Sequence, residues 1–201
     1  MPARSRIVLP LGIAEGHLGF YRKGDLPHLD VPRLIQLITF RLHDSLPSRH
    51  RGDEGGRWID ETLDRGLGEC LLRGPRAATI VATAVGARHG ADYTLIAWVV
   101  MPNHVHVLAE MPESMSLAEV VKGWKGRTAR LINLEHGRSG RLWQAGYYDR
   151  FIRDGKHLDA ATAYVEANPV KAGLCARPQD WRFSSAWRPE ATSGSGAPTE
   201  P

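Results

Sequence analysis

Residues 93–110 read YTLIAWVVMPNHVHVLAE. Tyr93 to Val100 is apolar and β-branched, as a buried strand is. Met101-Pro102-Asn103 supplies a tight turn, and His104 to Glu110 is strand-like again. Two strands joined by so short a turn run antiparallel, so an all-parallel sheet is excluded. Side chains alternate across a strand. His104 and His106 therefore share one face, roughly 6.5–7 Å apart along the strand, while Val105 and Val107 face a core. Two imidazoles held on a sheet suit one shared divalent cation. Two polar residues on a solvent-facing strand have the same spacing. The apolar strand before this pair and the sharp Pro-Asn turn place it near the sheet centre.

Working outward, Leu34 to Leu42 (LIQLITFRL) reads as an earlier buried strand, followed by a polar, Gly-rich loop at 47–57. Apolar residues at three- and four-residue intervals predict helices over 58–73 and 75–89, broken at Gly74-Pro75 and stopped by Gly90. Beyond the hairpin, a helix over 116–136 opens with Ser116 as N-cap and Glu119 in a capping box. A strand lies within 143–153. A helix from about Leu158 to Ala167 is closed by Asn168-Pro169. The order βαββαβ is that of an α+β ferredoxin-like sandwich with an antiparallel central sheet. Residues 1–33, rich in Pro, Gly and Arg, read as an irregular lead-in. Residues 34–188 form the domain, and the Pro/Gly/Ser/Thr-rich stretch 189–201 reads as a disordered tail.

The whole composition agrees with one globular domain: 201 residues, 42% hydrophobic and 24% charged. The longest apolar run, Leu95 to Met101, is far short of the ~18–20 residues of a membrane helix. The N-terminus lacks a signal-peptide pattern, so a cytoplasmic protein with no membrane partner is expected. Cys70 and Cys175 lie far apart with no CxxC pairing, which argues against a disulfide framework or a cysteine zinc site. Lys and Arg exceed Asp and Glu by 26 to 22. That excess permits a nucleic-acid partner without requiring one.

Two nitrogens do not complete a Mg²⁺ or Mn²⁺ site, which also takes oxygen donors. Glu110 is four residues past His106, about 13 Å along the strand, so the third ligand comes from elsewhere. Tyr164 and Asn168 are spaced i, i+4 and share a helix face. The amide oxygen is a hard ligand, and a phenol is a nucleophile once its charge is stabilised. Taken singly, these are also a core tyrosine and a helix-capping asparagine. Taken with the histidines, they make a metal-assisted phosphoryl-transfer site in which a tyrosine attacks phosphorus. Tyr147 and Tyr148 are rival nucleophiles, but they sit on strand-like sequence with no ligand four residues on. Lys122, Lys125, Arg127 and Arg130, with Trp124, combine backbone neutralisation and an aromatic platform, as single-strand binding needs. Arg150 and Arg153 extend this set.

Five stretches carry a resemblance: TFRLHDSLP at 39–47, AWVVMPNHVHVL at 97–108, LWQAGYYDRFIRD at 142–154, YVEANPVKAGL at 164–174 and DWRFSSAW at 180–187. Together they resemble the REP-associated tyrosine transposases, within the single-tyrosine HUH (IS200-like) transposases. The resemblance implies a ferredoxin-like HUH endonuclease domain that nicks and rejoins single-stranded DNA at hairpin repeats through a phosphotyrosine. It carries over His104 and His106 as metal ligands, Tyr164 as nucleophile, Asn168 as a third, amide ligand, and Mg²⁺ or Mn²⁺ as cofactor. It also implies a possible homodimer, since in some relatives the tyrosine helix serves the partner's site. The rival from another class is a hairpin-repeat binder that no longer cuts. The intact His-x-His and Tyr/Asn pairs favour chemistry.

Overall fold

The computed structural model describes residues 17–23, 26–46 and 56–189. Residues 190–201 of the expected disordered tail, nearly all of the 47–57 loop, and residues 1–16 and 24–25 of the lead-in lie outside them. The rest of the lead-in is not irregular. Strands β1 (Gly19–Lys23) and β2 (Leu26–Asp30) form an antiparallel hairpin. Five-residue strands, one containing Pro27, leave almost no period to read. Their stability comes from buried polar anchors. His17 faces the Asp30 carboxylate at 3.1 Å, which in turn accepts the Leu117 N–H at 2.9 Å. His28 is paired with Asp149.

Four strands make the central sheet: β3 (Ile35–Arg41), β4 (Thr94–Val100), β5 (His104–Glu110) and β6 (Tyr148–Phe151). Their order is β4-β5-β3-β6, antiparallel at every pairing. Two helical crossovers link β3 to β4 and β5 to β6, so the α+β sandwich with an antiparallel sheet is borne out.

The first crossover departs from expectation. Helix α1 (Gly56–Asp64) ends nine residues before the predicted stop at 73. Gly66 and Gly68 adopt φ of +66° and +85°, which glycine alone takes without strain. A Cβ on Gly68 would stand 2.7 Å from the Asp44 carbonyl oxygen. A short 3-10 turn, Leu71–Arg73, leads into α2 (Pro75–Gly86), which opens with proline in its first turn. Helix α3 (Leu117–Glu135) carries the predicted capping box.

Helix α4 (Gly155–Lys171) does not stop at Pro169 as expected. Proline here gives up one backbone donor and the last turn still closes. Ala172 N–H reaches Asn168 O at 3.0 Å, and Leu174 N–H reaches Pro169 O at 2.8 Å.

The two sheet faces divide the core. Ile38, Phe40, Val105 and Val107 pack with Val81 of α2 and Val120 and Ile132 of α3. Ala97, Val99 and Leu108 face the other way and pack on Ala161 and Val165 of α4. Among the described residues no helix is long and apolar enough to cross a membrane.

Candidate active site

Register places the histidines on the α4 side of the sheet. His106 is opposite Thr39 on β3 and Val99 on β4, and His104 is opposite Arg41. Directly paired residues share a face. Neither imidazole is a solvent-facing polar residue, for both are completely buried. Their Nε2 atoms stand 3.1 Å apart. Two nitrogens each about 2.1 Å from one cation and at right angles around it are separated by roughly 3.0 Å, so the pair is spaced for one ion.

The network behind the rings sets which nitrogens are free. Asn103 Nδ2 donates to Leu63 O at 3.2 Å and Leu67 O at 3.1 Å. Its Oδ1 is thereby turned to His104 Nδ1, at 2.8 Å. An amide oxygen only accepts, so His104 carries its proton on Nδ1 and its Nε2 lone pair is free. His106 Nδ1 meets the Thr39 hydroxyl at 2.8 Å. That hydroxyl can accept from Nδ1–H, which frees the second Nε2. Burial, then the neighbouring His106, holds His104 well below the ordinary imidazole range. Burial, then the Lys171 charge, brings His106 down to about 3. Both rings are neutral, the form that ligates a metal.

Tyr164 comes from α4, across the core from β5. Its ring stands 5.5 Å from that of His106, edge to face. The nucleophile candidate and the histidine pair of one and the same chain are thus adjacent. The Tyr164 hydroxyl oxygen is buried, with the Asp60 carboxylate and the Asn168 amide as its polar neighbours. Burial, followed by the charge of Asp60, raises its pKa above the usual phenol value. Asn168, one turn on, is completely buried. Its Nδ2 donates to the Tyr164 carbonyl at 3.0 Å, and its Oδ1 has no partner. Flipping the amide would set oxygen against oxygen, so Oδ1 is the atom presented to the interior.

Three groups that sequence reasoning missed complete the surroundings. Asp60 and Asp64, i and i+4 on α1, both act electrically on Tyr164. An Asp64 carboxylate oxygen lies 4.0 Å from His104 Nε2. Burial, then Asp60, pushes Asp64 up to about 6. The Lys171 ammonium sits 4.4 Å above the Tyr164 ring. The only signal for the carboxylates was their helical spacing, and on an outer helix that usually marks a solvated face. Lys171 was hidden by the expectation that Pro169 ends the helix.

The donor set fits a cation. Asp64 Oδ1 and Asn168 Oδ1 are both buried and unpartnered, at a cost of about 1–3 kcal/mol each if nothing satisfies them. Among the described residues no three His, Cys, Asp or Glu side chains cluster as a metal site. Asn168 Oδ1 and Asp64 Oδ1 are the oxygen atoms left without a partner on this side of the sheet.

The other candidates are dispersed. Trp124 is not a base platform. It lies on the sheet-facing stripe of α3, 5.2 Å from Tyr93 and 6.2 Å from Phe40 between ring centres, and its indole N–H donates to Tyr93 Oη. Lys125 closes a turn by donating to the Gln144 and Gly146 carbonyls at 2.7 and 2.5 Å. Lys122, Arg127 and Arg130 are exposed on α3, which packs on the sheet face away from the imidazoles. Arg150 and Arg153 are exposed, and Arg150 acts on Asp60, so it stands on the site's side. Tyr147 is buried on the far face with its hydroxyl bonded to that of Tyr21 at 2.9 Å. Tyr148, opposite Thr39 on β3, shares the histidines' face and packs against Leu46, Ile59 and Leu63.

Comparison with known proteins follows the same line. Residues 77–168 match the family described as IS200-like transposases. A putative REP-associated tyrosine transposase of Haemophilus influenzae is 28% identical over 106 residues, covering 48% of this chain and 60% of that protein. A REP-associated tyrosine transposase of Escherichia coli is 28% identical over 107 residues, covering 52% of this chain and 61% of that protein. The matched region thus spans about three fifths of these relatives. In fold, the chain is similar to a REP-associated tyrosine transposase solved bound to a REP hairpin: TM-score 0.54, 20% identity, 83% of this chain and 82% of that one.

Proposed function

Because the chain resembles the REP-associated tyrosine transposases in sequence and in fold, we propose that residues 34–188 form a metal-dependent single-strand DNA transesterase. It nicks and rejoins hairpin-repeat DNA through Tyr164. The observation that carries this reading is the half-buried Tyr164 ring, its hydroxyl oxygen buried, 5.5 Å between ring centres from the His106 imidazole, whose Nε2 is 3.1 Å from that of His104.

His104, His106 and Asn168 would hold the divalent ion, Mg²⁺ or Mn²⁺. When bound, it polarises a phosphodiester oxygen and offsets charge that builds up on phosphorus. The protein's own groups do the rest. Asn103 and Thr39 hold the two rings in orientation. Helix α4 carries the phenol beside them. As the Tyr164 oxygen bonds to phosphorus it gives up its proton to the Asp60 carboxylate. The P–O bond to one strand breaks, and the departing oxygen takes a proton from solvent. One phosphodiester has replaced another, so the reverse step rejoins a strand with little change in bond energy. Exposed Arg150 and Arg153 are suited to phosphates entering from the site's side.

The test is incubation with labelled single-stranded hairpin repeats and Mg²⁺ or Mn²⁺. The intact protein yields a band that survives denaturation. Tyr164→Phe binds the hairpin about as well and yields none, and chelator abolishes the band. Cutting by Tyr164→Phe removes Tyr164 as nucleophile. Cutting that persists in chelator removes the ion.

A further inference from the structure

Resting on the Tyr164 reading, we propose that Lys171 is a second residue of the reacting centre, the cation that carries the charge of the Tyr164 oxygen when it attacks and when it is displaced. Its ammonium lies 4.4 Å from the centre of the Tyr164 ring. A cation over a phenol is attracted to the ring face, and since Lys171 is exposed the resting contact is the weaker, water-screened form of that attraction. The attraction grows as the ring takes up negative charge, so this contact favours the attacking state over the resting one.

Position on the helix makes the contact possible. Lys171 follows Tyr164 by seven residues and Asn168 by three, so all three lie on one face of α4. That face exists only because α4 continues through Pro169 to Lys171.

The site needs this charge. Asp60 and Asp64 both bear on the phenol, and each raises its pKa. A phosphodiester entering beside two carboxylates meets repulsion that one divalent ion must share with the developing phenolate. Lys171 acts on Asp60, Asp64 and His106 alike. The other nearby cations are directed elsewhere. Arg41 donates to Leu42 O and Ser45 Oγ, and Arg150 bears on Asp60. Among the described residues Lys171 is the one whose charged end lies over this ring.

In the step itself, the hydroxyl proton passes to Asp60, the carboxylate that bears on this hydroxyl from α1. The Tyr164 O–P bond forms, the P–O bond to the leaving strand breaks, and the leaving oxygen is protonated by solvent. Lys171 keeps its protons throughout.

Single-turnover adduct formation at saturating hairpin oligonucleotide with Mn²⁺ tests this, with hairpin affinity and melting temperature measured beside it. Lys171→Met keeps the stem and removes the charge. Its adduct rate falls about 5-fold with affinity and melting temperature nearly unchanged, and Lys171→Arg recovers most of the loss. A Lys171→Met protein that binds more weakly yet reacts at full rate once saturated makes Lys171 a general phosphate contact and overturns the inference. So does Lys171→Arg that is as slow as Lys171→Met. Tyr164→Phe is run alongside; an adduct there would instead sink the reading on which the inference rests.

Discussion

Asn103 does two jobs with one amide. Its nitrogen holds the carbonyls that close α1, and its oxygen fixes the His104 proton on Nδ1. Removing a partner of this kind typically weakens metal binding 10–100-fold. Asn103→Ala is expected to lose Mn²⁺ affinity by about that factor in titration calorimetry, and an unchanged affinity would show that the tautomer is set elsewhere. The buried rings also make stability depend on pH. Unfolded, both titrate near 6.5; folded, both are depressed, His106 to about 3. The unfolded chain therefore binds protons that the fold refuses. Their contribution is fully present above pH 6.5 and is lost as pH falls, by up to about 1 kcal/mol per pH unit for each ring. Denaturant midpoints of metal-free protein at pH 7 and pH 5 should differ less for His106→Gln than for the native chain; equal differences would contradict this. At this scale the sequence was legible where a residue type is rare in its setting, as with two histidines inside an apolar strand. Asp60, Asp64 and Lys171 were not legible, because charged residues on outer helices are ordinary.

Elements were legible where period and caps agreed. The β4–β5 hairpin, β3 and the capped α3 all stand where the pattern put them. Failures arose where one backbone conformation outweighed the pattern. Apolar spacing runs on past Asp64, but Gly66 and Gly68 turn the chain with positive φ. That turn brings Leu63 and Leu67 carbonyls onto Asn103, so it serves the site. A side chain at 68 is blocked by Asp44 backbone and strained by φ. Gly68→Ala is expected to cost about 2 kcal/mol and to lower the melting temperature by roughly 4–8 °C. A melting temperature within a degree of the native value would mean that the turn yields easily. Pro169 taught the reverse lesson. A proline in a helix's last turn removes one donor that few partners would have used, and α4 runs on to deliver Lys171. The β1–β2 hairpin was missed because buried His–Asp pairs, which no local pattern announces, hold it in place.

Across the whole molecule, charge and chemistry separate. The site lies between the sheet and α4, whereas exposed Lys122, Arg127 and Arg130 lie on α3, packed on the opposite face. A bound hairpin that touches both must wrap an edge of the sheet. Replacing those three cations by Glu is expected to weaken hairpin affinity and to flatten its salt dependence, each lost phosphate contact removing about 0.7–0.9 from the logarithmic slope. The adduct rate at saturation should stay near native. An unchanged salt slope would assign these cations to solvent alone. The central claim, that His104, His106 and Tyr164 form one reacting centre, is tested most directly by trapping the protein–DNA adduct, digesting it and locating the modified residue by mass spectrometry. The account predicts a nucleotide phosphate on Tyr164. Modification of Tyr147 or Tyr148, or cut DNA with no protein attached, would contradict it.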